Sequence, residues 1–461
     1  MTDQLTIFQE VTPTLKLNVP EVITKNISLG KTSDDKRKLV LSSNFLRLYG
    51  FDKSTRVEYT THEKGGLTVT HNKRGSHKVY ERSYSNRKNN PLEVQLDIRN
   101  QNLLNEAFSK YTERVHVTIS NGMVNFQPCP NTSWTILNRV RKDPYHSLVA
   151  MSSGIDMHSI SRSGFEIEGL IEYRPKEARD LTDLSETGTM TAMELAKPRF
   201  IMNEDITTLS QQRLASMIQK PISLFHISLQ CDDFSNIKAK PLKQRSLSNL
   251  TTSMDYVYDC LRIVETSQPA CFMLENVPGF ITSEMGQLLI TKLKRWGYHV
   301  EANILNANEY GGRSIRKRLY IVASIFPGYQ FPSANIATSN QDIWETIKPH
   351  FKDCRDVSNT KTLQDGLATG RARIITKDSS FSPTVLKSQN RQAKDSIFIF
   401  HNNKYLFPNE TILKAIQGFP DDIQLNSVSS TIASEIIGQS IDYPMHDTIV
   451  KSIKSHLQRW L

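Results

Sequence analysis

Residues 222–236 read ISLFHISLQCDDFSN, an apolar run that gives way to a cysteine and two aspartates. The run has the length and composition of a buried strand, and Cys231 stands just after it. A cysteine in that position is either a nucleophile presented at the edge of a sheet or a small residue in a loop. Which of the two applies depends on what the rest of the chain places around it.

Apolar runs of the same kind alternate with segments of helical periodicity from about residue 146 onward. The strand-like runs are HSLVAMSSGI (146–155), FEIEGLIEY (165–173), ACFMLENV (270–277), HVEANIL (299–305) and RLYIVAS (318–324). The helical segments are TTSMDYVYDCLRIVET (251–266) and MGQLLITKLKRWG (285–297). This alternation predicts an α/β fold with a largely parallel sheet.

The residues that end each apolar run are the candidates for a site, because ligands of such sheets bind at the carboxyl ends of the strands. Ser153 and Gly154 are small residues that allow a close backbone approach to a ligand. Glu172 is either an acceptor for ribose hydroxyls or an ordinary exposed acid. Asp205 is placed either to bind an adenine amino group or to cap the helix that follows.

Cys231 and Glu275 are the sharpest pair among these strand ends. Glu275 directly follows a buried-looking run, where a carboxyl group is costly unless it has partners or a function. A thiolate can add to an electron-poor ring carbon while an acid protonates the ring nitrogen that takes up the charge. The pair therefore suits nucleophilic attack on a heteroaromatic ring.

The region before residue 130 has a different pattern. Residues 1–35 are expected to be an irregular lead-in, whereas 36–70 and 92–127 each predict a strand, a short helix and a hairpin. Arg56-Val57 and Arg114-Val115 stand at matching places in the two segments. We interpret 36–130 as a weak repeat of two β-rich units that could bind nucleic acid.

A basic segment, THNKRGSHKVYERSYSNRKNN (70–90), separates the two repeats. It is rich in Lys, Arg and His, and Tyr80 and Tyr84 are interleaved with them. The segment predicts either a linker that contacts phosphates or a solvated basic loop.

The bulk composition narrows the class of protein. The 461 residues carry a formal net charge of +10, which favours a polyanionic partner such as nucleic acid. Neither a secretion signal nor an apolar run long enough to cross a membrane is visible, and five scattered cysteines favour a reducing cytoplasm. Because no CxxC spacing occurs, we expect no metal site.

Six blocks between residue 146 and residue 461 resemble, in order and wording, the motifs of the DNA (cytosine-5) methyltransferases. Two match most specifically, namely LNANEYGGRSIRKRLYIVAS (305–324) with A-x-x-Y-G-V-P-Q-x-R-x-R, and YLFPNETILKAIQGFPDDI (405–423) with the block ending in L-Q-G-F-P. FMLENVPGF is similar to the Glu-Asn-Val block and IIGQSIDYPMHDTIVKSI to the last motif. The 222–236 stretch takes the place of Pro-Cys-Gln-x-F-Ser, with Phe234 and Ser235 retained, and MSSGIDMHSISRSGFEIEGLIEY takes that of F-x-G-x-G-G.

The resemblance implies a Rossmann-like sheet with helices on both faces, and a site. Cys231 would attack C6 of a cytosine flipped out of double-stranded DNA, and Glu275 would assist at N3. Arg316 and Arg318 would hold the base and a nearby phosphate or brace the pocket. S-adenosylmethionine is the implied cofactor, and its implied binding residues are Ser153, Gly154, Ile155, Glu172, Tyr173, Asp205 and Ser440.

The chain also departs from the family wording. Asp232 and Asp233 follow the nucleophile, and two such charges should raise the pKa of the thiol. Asp156-Met157 stands where Gly-Gly is usual, so these side chains are expected to crowd the methionine part of the cofactor. Gln230, Arg313-Ser314 and Gln439 are the remaining replacements.

The implied organisation is a catalytic core over 146–325, a small target-recognition segment over 326–380 and a return of the catalytic fold over 381–461. ATGRARIITKDSS (368–380) is either a basic readout segment or an ordinary surface loop. The function predicted is DNA cytosine-5 methylation of the kind found in restriction-modification systems. The alternatives are a catalytically degenerate relative that only binds DNA, and an RNA cytosine-5 methyltransferase.

Overall fold

The computed structural model describes residues 17–63, 65–87, 91–129, 131–177, 180–234, 240–249, 252–334 and 342–461. Among these, no helix combines the length and the apolar character that a membrane crossing requires. The first part of the predicted lead-in (1–16), the end of the basic segment (88–90) and Ser235 lie outside the described residues. The chain divides into two compact units, residues 1–135 and 136–461.

The first unit contains two antiparallel sheets, one of six strands and one of four. Its strands are β1 (Val22–Ser28), β2 (Gly30–Lys31), β3 (Arg37–Ser42), β4 (Arg56–Thr61), β5 (Leu67–His71), β6 (His77–Lys78), β7 (Tyr80–Ser83), β8 (Leu92–Ile98), β9 (Arg114–Ser120) and β10 (Met123–Pro128). Its helices are α1 (Phe45–Leu48) and α2 (Gln101–Ala107), and α3 (Thr132–Lys142) runs across the division into the second unit. The strand orders are β1-β9-β10-β5-β4-β6 and β2-β3-β8-β7.

The two predicted repeats have the same order of elements, namely β3-α1-β4-β5 and β8-α2-β9-β10. Equivalent strands of the two repeats pair with each other, β3 with β8 and β5 with β10. Val57 and Val115, which follow the matching arginines, are both fully buried in one apolar core. The irregular lead-in is wrong for 22–31, because β1 pairs along its whole length with β9 and β2 pairs with β3.

The second unit begins with alternating strands and helices, as the sequence predicts. Its strands are β11 (His146–Ala150), β12 (Glu166–Ile171), β13 (Phe200–Met202), β14 (Ile222–Ser228), β15 (Cys271–Asn276), β16 (His299–Asn306), β17 (Ser314–Ile315), β18 (Lys317–Ser324), β19 (Arg355–Asp356), β20 (Arg373–Ile375), β21 (Ser382–Pro383), β22 (Ile397–His401) and β23 (Lys404–Phe407). Its helices are α4 (Ile155–Arg162), α5 (Thr187–Leu195), α6 (Gln211–Met217), α7 (Lys240–Ser248), α8 (Tyr256–Ser267), α9 (Glu284–Arg295), α10 (Ile343–Ile347), α11 (Lys361–Ala368), α12 (Glu410–Gln417), α13 (Ser430–Gln439) and α14 (Tyr443–Gln458).

Seven strands form the main sheet, in the order β13-β12-β11-β14-β15-β18-β16. The five strands from β13 to β15 are parallel, whereas β18 runs antiparallel to both β15 and β16. The strand order reverses direction between β11 and β14, where ligands of doubly wound sheets bind. Because β14 is the strand of the ISLFHIS run, the sheet presents the following cysteine at that reversal.

The boundary predicted at residue 380 is wrong. A four-stranded sheet of order β19-β23-β22-β20 combines strands from both sides of it, with β20 parallel to β22. The reason is that Ile375, Ile397, Ile399 and Leu406 share one apolar core, which a boundary between them would divide. The recognition segment and the start of the return therefore form one substructure, and α14 then packs against α4.

Candidate active site

The carboxyl ends of β11, β12, β14 and β15 open into a cleft of 1450 Å³. Pockets for a single small molecule commonly have volumes of about 300–1,000 Å³, so this cleft is larger than one small ligand requires. Nine of the predicted site residues line it, namely Ser153, Glu172, Tyr173, Asp205, Cys231, Glu275, Arg316, Arg318 and Ser440. The predicted nucleophile and the predicted cofactor residues thus share one cavity.

Cys231 lies three residues beyond the end of β14 and is half-buried in the wall of the cleft. Burial is the largest cause that raises the pKa of its thiol, and the negative charges of Glu275 and Asp232 raise it further. The guanidinium groups of Arg318 and Arg316 oppose this increase. The protonated thiol is therefore the main form at neutral pH until a ligand changes the balance of charges.

Glu275 is the last acid of β15 and is paired with Arg318. Parallel pairing places Glu275 beside Ser228 at the end of β14, and antiparallel pairing places it opposite Tyr320 on β18. Arg318 is two residues before Tyr320, on the same face of β18. Its Nε lies 2.9 Å from Oε1 of Glu275, and both side chains are largely buried. Strand register alone therefore brings the carboxyl and the guanidinium together.

Arg316 is buried and acts within the structure as a brace. Its Nη1 donates to the carbonyl of Val385 at 3.3 Å, and its Nη2 donates to the carbonyl of Ser440 at 2.5 Å. Burial, assisted by the charge of Arg318, lowers its pKa to about 10, so it remains a cation at neutral pH. Of the two alternatives left by the sequence, these bonds favour bracing the pocket for Arg316.

The two aspartates after the nucleophile have different surroundings. Asp232 is exposed and accepts a hydrogen bond from Gln230 at 2.7 Å. Asp233 is buried, and its carboxylate accepts from the backbone N–H of Ser253 at 2.8 Å and from the hydroxyl of Thr252 at 2.9 Å. Asp232 raises the pKa of the thiol as expected, whereas Asp233 fastens the segment at 252–253.

Glu172 holds the loop that follows β11. Its Oε2 accepts from the backbone N–H groups of Ser152 at 2.7 Å and Ser153 at 3.0 Å. Burial raises the pKa of this carboxyl, and these two hydrogen bonds oppose the increase. A Cβ at Gly188 would lie 2.8 Å from Oε1 of Glu172, so only glycine there leaves this carboxylate oxygen uncovered. The arrangement is a small cradle at the end of β12.

Tyr173, Asp205 and Ser440 line the same cleft. The carboxylate of Asp205 accepts from the backbone N–H of Thr207 at 2.9 Å and from its hydroxyl at 2.8 Å, so it caps the short turn that follows. Ser440 donates its hydroxyl proton to the carbonyl of Ile437 at 2.8 Å. Asp205 therefore combines the capping role with a place on the cleft wall.

Gly154 and Ile155 do not reach the cleft wall. Gly154 has φ of +98°, and a Cβ there would lie 2.6 Å from the Cα of Ala192. Glycine is therefore required for the left-handed turn and for close packing of α4 against α5. Ile155 is fully buried in the apolar core that contains Ile375.

Of the two side chains expected to crowd the cofactor, Asp156 lines the cleft and Met157 does not. Met157 is buried in the main core. Asp156 contacts His226 at 2.8 Å and accepts from the hydroxyls of Ser228 at 2.8 Å and Ser152 at 3.0 Å. The sequence signal for this network was a histidine between the apolar residues Phe225 and Ile227 of β14, and sequence reasoning missed it.

A basic side chain of the predicted readout segment also lines the cleft. Arg373, from the predicted readout segment, donates through Nε to the carbonyl of Asp395 at 2.6 Å, and it also donates to the carbonyl of Thr384. Its Nη2 is buried without a hydrogen-bond partner among the described residues. Part of the segment is thus a wall of the cleft, not a surface loop.

An ion-pair network connects the segment after Tyr173 to α13. Arg174 lies 2.7 Å from Asp180 and 3.5 Å from Glu435, and Lys387 lies 2.7 Å from Glu177 and 3.4 Å from Glu435. The network is at the rim of the cleft and holds the segment against α13.

Known proteins resemble part of this chain in sequence. Residues 191–369 match the family model of the C-5 cytosine-specific DNA methylases. The type II methyltransferase M.MspI of Moraxella sp is 27% identical over 240 residues, which cover 50% of this chain and 55% of the relative. M.BsuFI of Bacillus subtilis is 26% identical over 243 residues, covering 49% and 56%. The chain thus spans little more than half the length of these curated relatives.

Solved structures establish the fold. The S. pombe Dnmt2 methyltransferase superposes with a TM-score of 0.52 and 15% identity, covering 68% of this chain and 99% of that one. The Entamoeba histolytica methyltransferase EhMeth superposes with a TM-score of 0.54 and 15% identity, covering 68% and 98%. The match over residues 191–369 identifies a C-5 cytosine-specific DNA methylase domain within the chain, and type II methyltransferases are its relatives in sequence.

Proposed function

We propose that the protein transfers a methyl group to C5 of cytosine in DNA, through a covalent bond between Cys231 and C6. The observation that carries the proposal is the convergence of a cysteine, a carboxyl and a guanidinium on one cleft edge. Cys231, Glu275 and Arg318 come from three adjacent strand ends. Their chemistry matches addition to an electron-poor pyrimidine ring.

Each of these residues would have a separate role in methyl transfer. The Cys231 thiolate adds to C6 of a cytosine turned out of its stack, which makes C5 nucleophilic. Glu275 protonates or hydrogen-bonds N3, and Arg318 keeps that carboxyl oriented. After methylation, a base removes the C5 proton and the Cys231 sulfur leaves. Arg316 keeps the strand-end region tied to the carbonyl of Ser440.

The cleft fits S-adenosylmethionine as the methyl donor. Gly188 keeps the Glu172 carboxylate uncovered, and Tyr173 supplies an aromatic ring next to it. Glu172 would accept the ribose hydroxyls, Tyr173 would stack on the adenine, and Asp205 and Ser153 would contribute polar contacts. When bound, the cofactor supplies an electrophilic methyl group.

A covalent trap tests the proposal. The full chain is incubated with S-adenosylmethionine and duplex DNA that contains 5-fluorocytosine, whose C5 carries no removable proton. We expect a denaturation-resistant adduct that maps to Cys231. Bisulfite sequencing of DNA from cells that express the protein would give the target sequence, with Cys231→Ala as the control. Identical conversion patterns for the two proteins would contradict the role of Cys231.

One observation favours a protein that holds DNA without chemistry, namely the raised pKa of the Cys231 thiol. Calorimetry distinguishes the two functions, because a pure binding protein would retain DNA affinity without binding S-adenosylmethionine. The same methylation assay with transfer RNA in place of DNA tests the third function, RNA methylation. Transfer of label to RNA alone would replace DNA as the substrate.

We further propose that the first unit contacts DNA phosphates through the segment 71–78. The segment contains Lys73, Arg74, Lys78 and two histidines, all exposed, and it has no acid. None of these three cations has an ion-pair partner within the part of the chain that the structure describes. Arg56, also exposed, lies opposite Lys78 in the β4-β6 pair. Four exposed cations on and next to the edge strand β6 can supply contacts to a phosphate backbone.

A charge-reversed pair tests this surface. Lys73→Glu with Arg74→Glu should weaken DNA binding and reduce the slope of log affinity against log salt by about 2, roughly one per phosphate contact. Lys31→Glu with Lys36→Glu is the control, since it changes the net charge by the same amount. These two lysines are already paired with Asp35 and Asp34, so we do not expect them to contact phosphates. Equal losses in the two double variants would assign the effect to net charge alone.

A further inference from the structure

Three buried side chains meet beneath the cofactor loop. Asp156 is in the first turn of α4, His226 is in β14 and His446 is in α14. One possible ligand atom from each lies within 4.8 Å of those of the other two. The three elements are far apart in sequence, so the fold itself assembles this cluster.

The negative charge of Asp156 has no partner with a permanent positive charge in the described chain. Its oxygens contact the hydroxyls of Ser152 and Ser228 and Nε2 of His226. The residue is 2% exposed. Desolvation of a buried carboxylate is expensive, and a cation bound next to it would offset that cost.

Two imidazole nitrogens in the cluster are buried without a hydrogen-bond partner among the described residues, Nδ1 of His226 and Nε2 of His446. The other nitrogen of His446, Nδ1, lies 3.0 Å from the hydroxyl of Ser159. Hydrogen bonding to one ring nitrogen is the usual way in which a ligating histidine is oriented, and it leaves the second nitrogen for the metal. The unpaired Nε2 of His446 therefore has the environment of a ligand atom.

We propose that Asp156, His226 and His446 bind one divalent transition-metal ion, Zn²⁺ under cellular conditions. Two imidazoles and one carboxylate are a ligand set that Zn²⁺ accepts in four-coordinate geometry. Ser228, whose hydroxyl is 2.8 Å from Asp156 and 3.3 Å from Nε2 of His226, or a water molecule completes the set. The ion would fasten α4, β14 and α14 together and fix the loop at 152–154.

The test measures metal binding by the full chain and does not depend on methylation. Protein stripped with a chelator is titrated with Zn²⁺ in competition with a chromophoric chelator. Zinc-edge X-ray absorption is then recorded on the loaded protein. We expect one equivalent per chain, nitrogen and oxygen ligands with imidazole scattering, and no sulfur. Titration with Co²⁺ should give the visible bands of a four-coordinate ion.

The matched variants are His446→Gln and His456→Gln. Both histidines are buried in α14, but His456 contacts Ser324 and Arg459 outside the cluster. We expect His446→Gln to weaken Zn²⁺ binding by more than about 100-fold, since changes to outer partners alone cost about 10–100-fold. His456→Gln should bind like the wild type. His226→Gln serves as a second ligand variant, with thermal unfolding as the check on folding.

Three results would overturn the proposal. One is a wild-type protein that binds neither Zn²⁺ nor Co²⁺ at one equivalent. Another is sulfur in the zinc coordination shell, which would assign the ion to cysteines. The third is equal loss in His446→Gln and His456→Gln. Because the absorption spectrum is recorded on the wild type, a variant that fails to fold does not remove the test.

Discussion

The residues proposed to bind the base and those proposed to bind the cofactor match the sequence motifs of the family to different degrees. On the base side, Cys231, Glu275 and Arg318 stand where the motifs place them, and pairing of three adjacent strand ends brings them together. On the cofactor side, Asp156 replaces a glycine, and His226 accommodates its carboxylate from 70 residues further along the chain. The side chains of the base side are thus positioned by the pairing of neighbouring strands. Those of the cofactor side are positioned by contacts with residues that are distant in sequence.

This difference predicts that variants of the two sides fail in different ways. Changes on the base side should remove chemistry and leave cofactor binding intact, because Cys231 and Glu275 hold no part of the cofactor loop. Changes on the cofactor side should remove binding first, because Glu172 fastens that loop through the backbone of Ser152 and Ser153.

The largest effect is expected for Cys231→Ala. Methyl transfer should fall by at least about 10⁴-fold, as is usual when a covalent nucleophile is removed. The affinity for S-adenosylmethionine should stay unchanged. Transfer of tritium from labelled cofactor and calorimetry measure the two quantities. Cys354→Ala, which removes another half-buried free cysteine, is the control and should retain full activity. A Cys231→Ala protein that still methylates DNA would contradict the role of Cys231 as the nucleophile.

Glu275→Gln should give the next largest effect. Loss of the acid that assists at N3 should lower kcat by about 10²–10⁴-fold, the usual contribution of general acid–base catalysis. The cofactor dissociation constant should again stay within error of the wild type. Single-turnover methylation at saturating cofactor measures the first quantity. If kcat stays near the wild-type value while cofactor affinity falls, Glu275 belongs to the other side of the cleft.

Glu172→Gln tests the cofactor side. A hydrogen bond to a charged acceptor contributes about 1.5–3 kcal/mol, so cofactor affinity should fall by roughly 10–150-fold. Calorimetry with S-adenosylmethionine measures the effect. Glu166→Gln is the matched control, because Glu166 begins the same strand and its side chain is exposed. Equal losses for both variants would show a general effect on β12 and not a contact with the cofactor.

Asp232→Asn should give the smallest effect, which is a lower pKa of the Cys231 thiol. Burial raises the pKa of the Cys231 thiol and Asp232 raises it further, so removing this negative charge lowers that pKa. The pH profile of Cys231 alkylation should move to lower pH, and the rate at fixed pH should increase by less than about tenfold because Asp232 is exposed. A rate that falls instead would contradict the electrostatic assignment.

The parts of the site that sequence reasoning predicted are those fixed by strand ends. An apolar run that stops at Cys231 or Glu275 identifies both the strand and the edge at which it opens. The order of strands and helices and the two N-terminal repeats could be predicted for the same reason. Hydrophobic periodicity and turn residues are properties of short stretches of sequence. In the second N-terminal repeat, the hairpin predicted within 92–127 is β9-β10.

The parts that were missed depend on contacts between distant residues. Asp156 was expected to obstruct the cofactor because nothing near it in sequence shows that His226 and Ser228 lie beside it. Gly154 was predicted to bind the ligand. Glycine is required there because a Cβ would collide with Ala192 on another helix. The boundary at 380 failed for a related reason, because the pairing of β20 with β22 joins segments on either side of it.

The hydrogen bond between Ser159 and His446 also bears on how the protein is made. Its two partners are 287 residues apart, so the helix that carries Ser159 leaves the ribosome long before α14 exists. At synthesis rates of about 5–20 residues per second, that interval is roughly 15–60 s. During this time the floor of the cofactor loop has no α14 to pack against. A nascent chain therefore cannot complete this buried cluster until translation is nearly finished.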